Sequence, residues 1–143
     1  MDKLFDIKMT FTQIPSILTY LPVTLALAII SMIVGLLLGL VVALIKMKKI
    51  PVLTQLCNVY ISLIRGTPII VQLYVTYFGI PLFLKYINYT YGTSYNVNGV
   101  PSIVYAFLAL AINESAYNAE TIRASLQSVE KGQIEAASSL GMT

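Results

Sequence analysis

The chain contains no histidine and only one cysteine, Cys57. Without histidine there is no Ser/His or Cys/His pair for nucleophilic catalysis and no Cys/His metal site. A lone thiol cannot build a disulfide framework either. Cys57 lies in an apolar run and reads as a buried structural thiol. Charge is equally scarce. Charged residues make up 10% of the 143 positions, where soluble domains average about 25%. No charge falls between Lys8 and Lys46, or between Lys85 and Glu114. A net charge of +3 is too small to suggest nucleic acid. There is no G-x-x-x-x-G-K-[ST] loop, Lys131-Gly132 being in the wrong order, so nothing here cradles nucleotide phosphates. Glu114 and Glu120 are six residues apart and do not share a helix face cleanly, which weakens a paired-carboxylate reading. No internal repeat, low-complexity segment or cleavable signal peptide is visible. The first apolar run is too long for a signal's apolar region of about 7–15 residues. The sequence therefore predicts no catalytic residue, no metal site and no cofactor of its own.

What remains is apolar. Hydrophobic residues make up 57% of the chain, and mean hydropathy is +0.81. This is the composition of an all-α integral membrane protein. A spanning helix needs about 20 apolar residues, and residues 17–45 supply a first span, with Pro22 in its opening turns. Along it Ala28, Ser31, Gly35, Gly39 and Ala43 form one small-residue stripe, which permits close helix packing in lipid. Lys46, Lys48 and Lys49 come next, then Pro51. Residues 52–84 form a second segment, too long for one straight span and interrupted by Arg65-Gly66-Thr67-Pro68. Such a break is tolerated only where protein or water satisfies the freed backbone. Residues 85–101 are rich in Tyr, Asn and Gly and read as an external loop with a turn at Asn98-Gly99. Asn88-Tyr89-Thr90 matches a glycosylation sequon, but three residues carry little weight. Residues 102–129 form a third span, apolar to Ile112 and polar beyond it. Gly132 is read as its stop, before a short helix at 133–140 that ends at Gly141.

Lysine-rich loops lie inside the cell. Placing Lys46, Lys48, Lys49, Arg123 and Lys131 inside leaves Lys3, Lys8 and Lys85 outside, with the N-terminus out and the tail in.

Glu114, with Asn113 beside it, lies where the third span turns polar. An ionisable group in a membrane helix is a functional site by default, and pairing with Arg65 for assembly is the competing reading. Arg65 could also snorkel to the headgroups. Gln72, Asn113 and Glu114 are the candidates for a substrate pathway. In the tail, Ala136 and Ala137 present a small surface with Leu140 as an apolar knob. Glu135 suits the positive end of the helix dipole. The polar face, Gln133, Glu135, Ser138 and Ser139, has no basic residue, unlike a membrane-surface helix. Docking in a groove on another protein is the better reading.

These residues resemble a known family. Gly132, Glu135-Ala136-Ala137, Leu140 and Gly141 stand as in the "EAA" cytoplasmic loop of permease subunits of ATP-binding-cassette (ABC) importers. The run from Ala116 through Tyr117, Ala119, Glu120 and Arg123, and Arg65-Gly66-Thr67-Pro68 continuing to Gln72 and on to Pro81, are similar to the polar amino-acid permeases. The match covers essentially the whole chain and leans towards L-cystine-type importers. It implies a type I ABC importer permease fold and a bacterial inner or plasma membrane location. It also implies three partners: an ATPase subunit that binds the ATP and receives a coupling helix at 133–140, a second permease subunit (the same or a paralogue), and an extracellular amino-acid-binding protein. The family typically has about five spans. Three are read here, so the resemblance implies a C-terminally truncated permease. Two other classes stay open: a small membrane scaffold or regulator that binds a cytoplasmic partner, and a fragment of an ion-coupled secondary transporter.

Overall fold

Long apolar stretches with few helix breakers fold as helices wherever the backbone must satisfy itself. The computed structural model describes residues 7–97 and 99–142. Its six α-helices, in chain order, are α1 (Ile7–Met47), α2 (Pro51–Gly66), α3 (Ile69–Tyr74), α4 (Ile80–Tyr91), α5 (Ser102–Gln127) and α6 (Lys131–Ser139). A π-helical turn, Val75–Gly79, joins α3 to α4. No strand forms among the described residues. Lys3, Thr143 and Asn98 of the expected turn lie outside them.

The first helix begins ten residues earlier than the 17–45 segment suggests. Its 41 residues take both Pro15 and Pro22 inside. Pro22 is therefore interior rather than in the opening turns, and it gives no N–H to the carbonyl four residues back. Nearby hydroxyls bond the helix backbone: Thr19 Oγ1 donates to the Pro15 carbonyl at 3.0 Å and Thr24 Oγ1 to that of Tyr20 at 3.2 Å. The helix ends at the lysine loop, where Lys49 takes φ +52°. Pro51 then opens α2 as its first residue, where a missing N–H is harmless.

The main packing is α1 on α5. Ser31, Gly35, Gly39 and Ala43 are buried and face a second small-residue row on α5, Ala111, Ser115 and Ala119, also buried. A Cβ on Gly35 would sit 2.5 Å from Glu114 Cβ and 3.2 Å from the Ala111 carbonyl. On Gly39 it would sit 2.9 Å from both Asn118 Cβ and the Ser115 carbonyl. Only glycine allows backbones this close, which is how helices attract one another in lipid. Ala28 is not part of this contact; it is exposed. The buried row steps by four, so its next member is Leu27, which is half-buried. Beyond it α1 and α5 part over an apolar cleft lined by Val23, Leu27, Ile30 and Phe107.

The next faces of α5 take α2 and α3. Ile61 and Ile64 of α2 pack on Ala116 and Ala119. The Tyr60 hydroxyl lies 3.0 Å from the Ile112 carbonyl and against Ser115 Oγ.

The outer loop is shorter than expected. Helix α4 runs past Lys85 to Tyr91 and stops at Gly92, whose φ of +64° suits a residue without Cβ. Asn88 orders the start of the loop, accepting from Thr93 Oγ1 at 2.8 Å and from the Tyr95 N–H at 2.9 Å. At the other end α5 closes at Gln127, and Ser128 Oγ donates to the Ser125 carbonyl at 2.8 Å. Helix α6 starts at Lys131, so Gly132 lies in its first turn and is not the stop of α5.

Two stretches, Phe11–Met47 and Ile69–Tyr91, are long and apolar enough to cross a membrane. Helix α5 is not among them, because its second half carries Asn113, Glu114, Asn118, Glu120 and Arg123.

Candidate functional site

The site grows out of the break between α2 and α3. Thr67 is extended (φ −113°, ψ 136°), as expected of a residue before proline. Pro68 has no N–H, so the Ile64 carbonyl four residues back loses its helical donor. The Gln72 side chain replaces it. Its Nε2 donates to the Ile64 carbonyl at 2.8 Å and lies 2.8 Å from Thr67 Oγ1 and 3.1 Å from the Thr67 carbonyl. Thr67 Oγ1 in turn donates to the Leu63 carbonyl at 2.9 Å. Gln72 Oε1 accepts from Asn113 Nδ2 at 3.2 Å, which ties the break to α5.

On the far side of the break is a cleft of about 540 Å³, lined by Arg65, Gly66, Thr67, Pro68, Ile69, Asn113, Glu114 and Tyr117. Of the three expected pathway residues, Asn113 and Glu114 line it. Gln72 does not; it stands behind Asn113. The Arg65 guanidinium lies over the Tyr117 ring, 5.2 Å from its centroid. A cation held on an aromatic face is stabilised without being neutralised. Glu114 is exposed and makes no ion pair with Arg65. The cleft thus presents one cation, one carboxylate and one amide with no ion pair among them. The Arg65–Tyr117 contact also brings together the two sequence motifs, from α2 and α5.

Further along α5, Glu120 gathers two cations from different helices. It is in contact with Lys46 Nζ of α1. Its Oε2 accepts from Arg123 Nη2 at 2.8 Å and Nε at 3.0 Å. The side chains are 13–33% exposed, so this is a largely enclosed cluster rather than a solvated surface pair. Arg123 Nη1 continues to Gln127 Oε1 at 2.7 Å. The sequence motif marks Glu120 and Arg123 but gives no sign of Lys46, which lies 74 positions away. Ala119, the motif residue beside Glu120, is wholly buried.

Helix α6 comes last and packs on no other described helix. Glu135, Ala136 and Leu140 are exposed, Leu140 by 81%, and Ala137 is half-buried. Its end is fully specified. Gly141 takes φ +78°, its N–H bonds the Ser138 carbonyl at 3.0 Å, and the Met142 N–H bonds the Ala137 carbonyl at 3.1 Å. This pair of bonds is the Schellman stop, and it needs a left-handed residue at the position of Gly141. No group of three or more metal-ligating side chains is found among the described residues.

The family described as binding-protein-dependent transport system inner membrane component matches residues 35–143. The chain belongs to this family. Its relatives are transport permeases. The L-cystine transport system permease protein TcyL of Bacillus subtilis is 40% identical over the whole chain and 57% of its own length. The arginine transport system permease protein ArtQ of the same organism is 36% identical over 96% of the chain and 57% of its own length. A solved structure described as an amino acid ABC transporter with histidines superposes with a TM-score of 0.73 and 38% identity, covering 99% of this chain and 60% of that one. The fold is that of a type I ABC importer permease. This permease-family chain spans a little under three fifths of the relatives it matches.

Proposed function

We propose that the chain acts as the permease subunit of an ABC importer that brings a polar amino acid into a bacterial cell, with L-cystine the first substrate to test. The observation that carries this reading is α6. It is a helix with a glycine-specified end and an exposed Leu140, held at the end of α5 and packed on no other described helix. Such an element has its use in a groove on another protein. In this reading the groove belongs to an ATPase subunit, which binds and hydrolyses the ATP. A second permease subunit and lipid cover the exposed apolar faces of α1 and α4, and an extracellular amino-acid-binding protein delivers the substrate. The three spans are α1, the broken α2–α4 segment and α5. The N-terminus faces outside and α6 the cytoplasm, because the lysine loop and Arg123 then lie inside.

The test is reconstitution in proteoliposomes with an ABC ATPase and an amino-acid-binding protein, following radiolabelled L-cystine. Uptake that needs ATP and both added proteins is expected. Uptake driven by an ion gradient alone would make the chain part of a secondary transporter, and ATPase binding without uptake would make it a scaffold. Single cysteines at Tyr89 and Ser138, in a Cys57→Ser background, check the orientation: the first should react with an impermeant thiol reagent from outside, the second only from inside.

A further inference from the structure

The cleft beside the break is lined by groups whose hydrogen-bonding sense is set from behind. The Ile64 and Thr67 carbonyls can only accept, so Gln72 must turn its NH2 towards them. Its Oε1 then faces α5, and an oxygen there can only be met by a donor. Asn113 meets it with Nδ2. That leaves Asn113 Oδ1 as an acceptor with no hydrogen bond to the described chain, on a side chain that lines the cleft. The neighbouring Glu114 carboxylate, exposed and outside any ion pair, is a second acceptor on the same wall. The opposite character, a cation, is confined to Arg65 over Tyr117.

We infer that the cleft takes a ligand's ammonium group between Asn113 Oδ1 and Glu114, and that Gln72 is the positioning residue that makes Asn113 an acceptor there. The chain of cause runs from Pro68. Its missing N–H orphans Ile64, the orphan turns Gln72, and Gln72 turns Asn113. Gln72 itself touches no ligand. An ammonium has three donors and no acceptor, so a reversed Asn113 amide would repel it. This inference rests on the importer reading and deepens it.

The test uses the permease–ATPase complex in detergent without the binding protein. Equilibrium binding of radiolabelled L-cystine is compared with competition by N,N′-diacetyl-L-cystine, whose ammonium groups are blocked. Wild type should prefer L-cystine. Asn113→Ala and Gln72→Leu should each narrow that preference about tenfold, the scale of one hydrogen bond to a charged group. The double variant should narrow it no further. Asn113→Asp gives up the bond to Gln72 but presents an acceptor to the cleft whichever way it turns, and should hold the preference at or above wild type; it tests the need for that acceptor if Gln72→Leu does not assemble. Three results overturn the inference: affinities for both ligands falling together in Gln72→Leu, additive losses in the double variant, or Asn113→Asp behaving as Asn113→Ala. Wild-type uptake of L-cystine without preference between the two ligands would also overturn it while leaving the importer reading intact. Absence of both uptake and binding would remove the importer reading itself.

Discussion

Replacing Gly35 by alanine adds one methyl group at the tightest point of the α1–α5 contact. The new Cβ would lie 2.5 Å from Glu114 Cβ, 3.2 Å from the Ala111 carbonyl oxygen and 3.3 Å from the Ser115 nitrogen. Carbon atoms rest about 3.5–4.0 Å apart, so the two helices must separate by about 1 Å. None of the three atoms is the free end of a flexible side chain; one is the first carbon of Glu114 and two are backbone. Overpacking of this kind costs about 1–3 kcal/mol. The gain in helix propensity from Gly to Ala, about 1 kcal/mol at most, offsets part of it. A net loss of up to about 2–3 kcal/mol is expected, the upper part of this range because two of the three contacts are backbone atoms that cannot move aside. Cys57 offers the assay, since it is the chain's single thiol and is half-buried on α2. A thiol-reactive fluorophore should report unfolding several degrees lower in Gly35→Ala than in wild type. Gly132→Ala is the control, because nothing lies within 4 Å of a Cβ placed there. Equal midpoints for wild type and both variants would refute the close approach on which the packing argument stands. Since Glu114 Cβ is the nearest atom, Gly35→Ala should also weaken ligand binding in the cleft, which a distant stability defect would not do.

Three further outcomes are expected. Glu120→Gln leaves Lys46 and Arg123 without their counter-charge in a largely enclosed cluster. It should lower stability by about 1–3 kcal/mol, less than for a fully buried pair, and most of the loss in thermal midpoint should persist at high salt. Gly141→Ala forces a Cβ into a left-handed residue at a cost of about 1–2 kcal/mol. It should fray α6 and reduce co-purification with the ATPase, while ligand binding in the cleft stays as in wild type. Glu114→Gln keeps the shape of the cleft and removes its carboxylate. Transport should fall at least tenfold with ATPase co-purification unchanged; loss of co-purification instead would mark Glu114 as an assembly residue.

The parts of the fold that are legible in sequence are those set by local period. Ser31, Gly35, Gly39 and Ala43 recur every four residues, and a row that regular has one face to bury. Ala28 breaks the period, and for that reason it falls outside the contact. Helix ends are less legible. Lys85 reads as the start of a loop, but a charge marks a change of surroundings, not of backbone, and α4 continues until Gly92 permits the left-handed turn. Gly132 reads as a stop because glycine often is one; here serine at 128 closes α5 and Gly132 is helical. Gly141 does end its helix, because a glycine right after the last periodic residue is where the Schellman stop needs it. At the site, Asn113 and Glu114 are adjacent in sequence and stay together in space. The role of Gln72 has a sequence signal of its own: an amide four residues past a proline can reach the carbonyl that the proline orphans. The contact of Lys46 with Glu120 has no local signal, since it depends on how two distant helices align.

The enclosed charges at Glu120 bear on how force travels. Helices α1 and α5 interlock along the small-residue row, and at its C-terminal end Lys46 of α1 meets Glu120 of α5, which Arg123 also holds. Bending α5 away from α1 would have to open the glycine contact or pull Lys46 from Glu120. On the proposed reading, a push delivered to α6 would enter a two-rod lever rather than a single rod. The compliant place is elsewhere, at Thr67-Pro68, where the helical ladder is interrupted and one glutamine side chain bridges the gap. Rotation of the lever would be taken up there, next to the cleft.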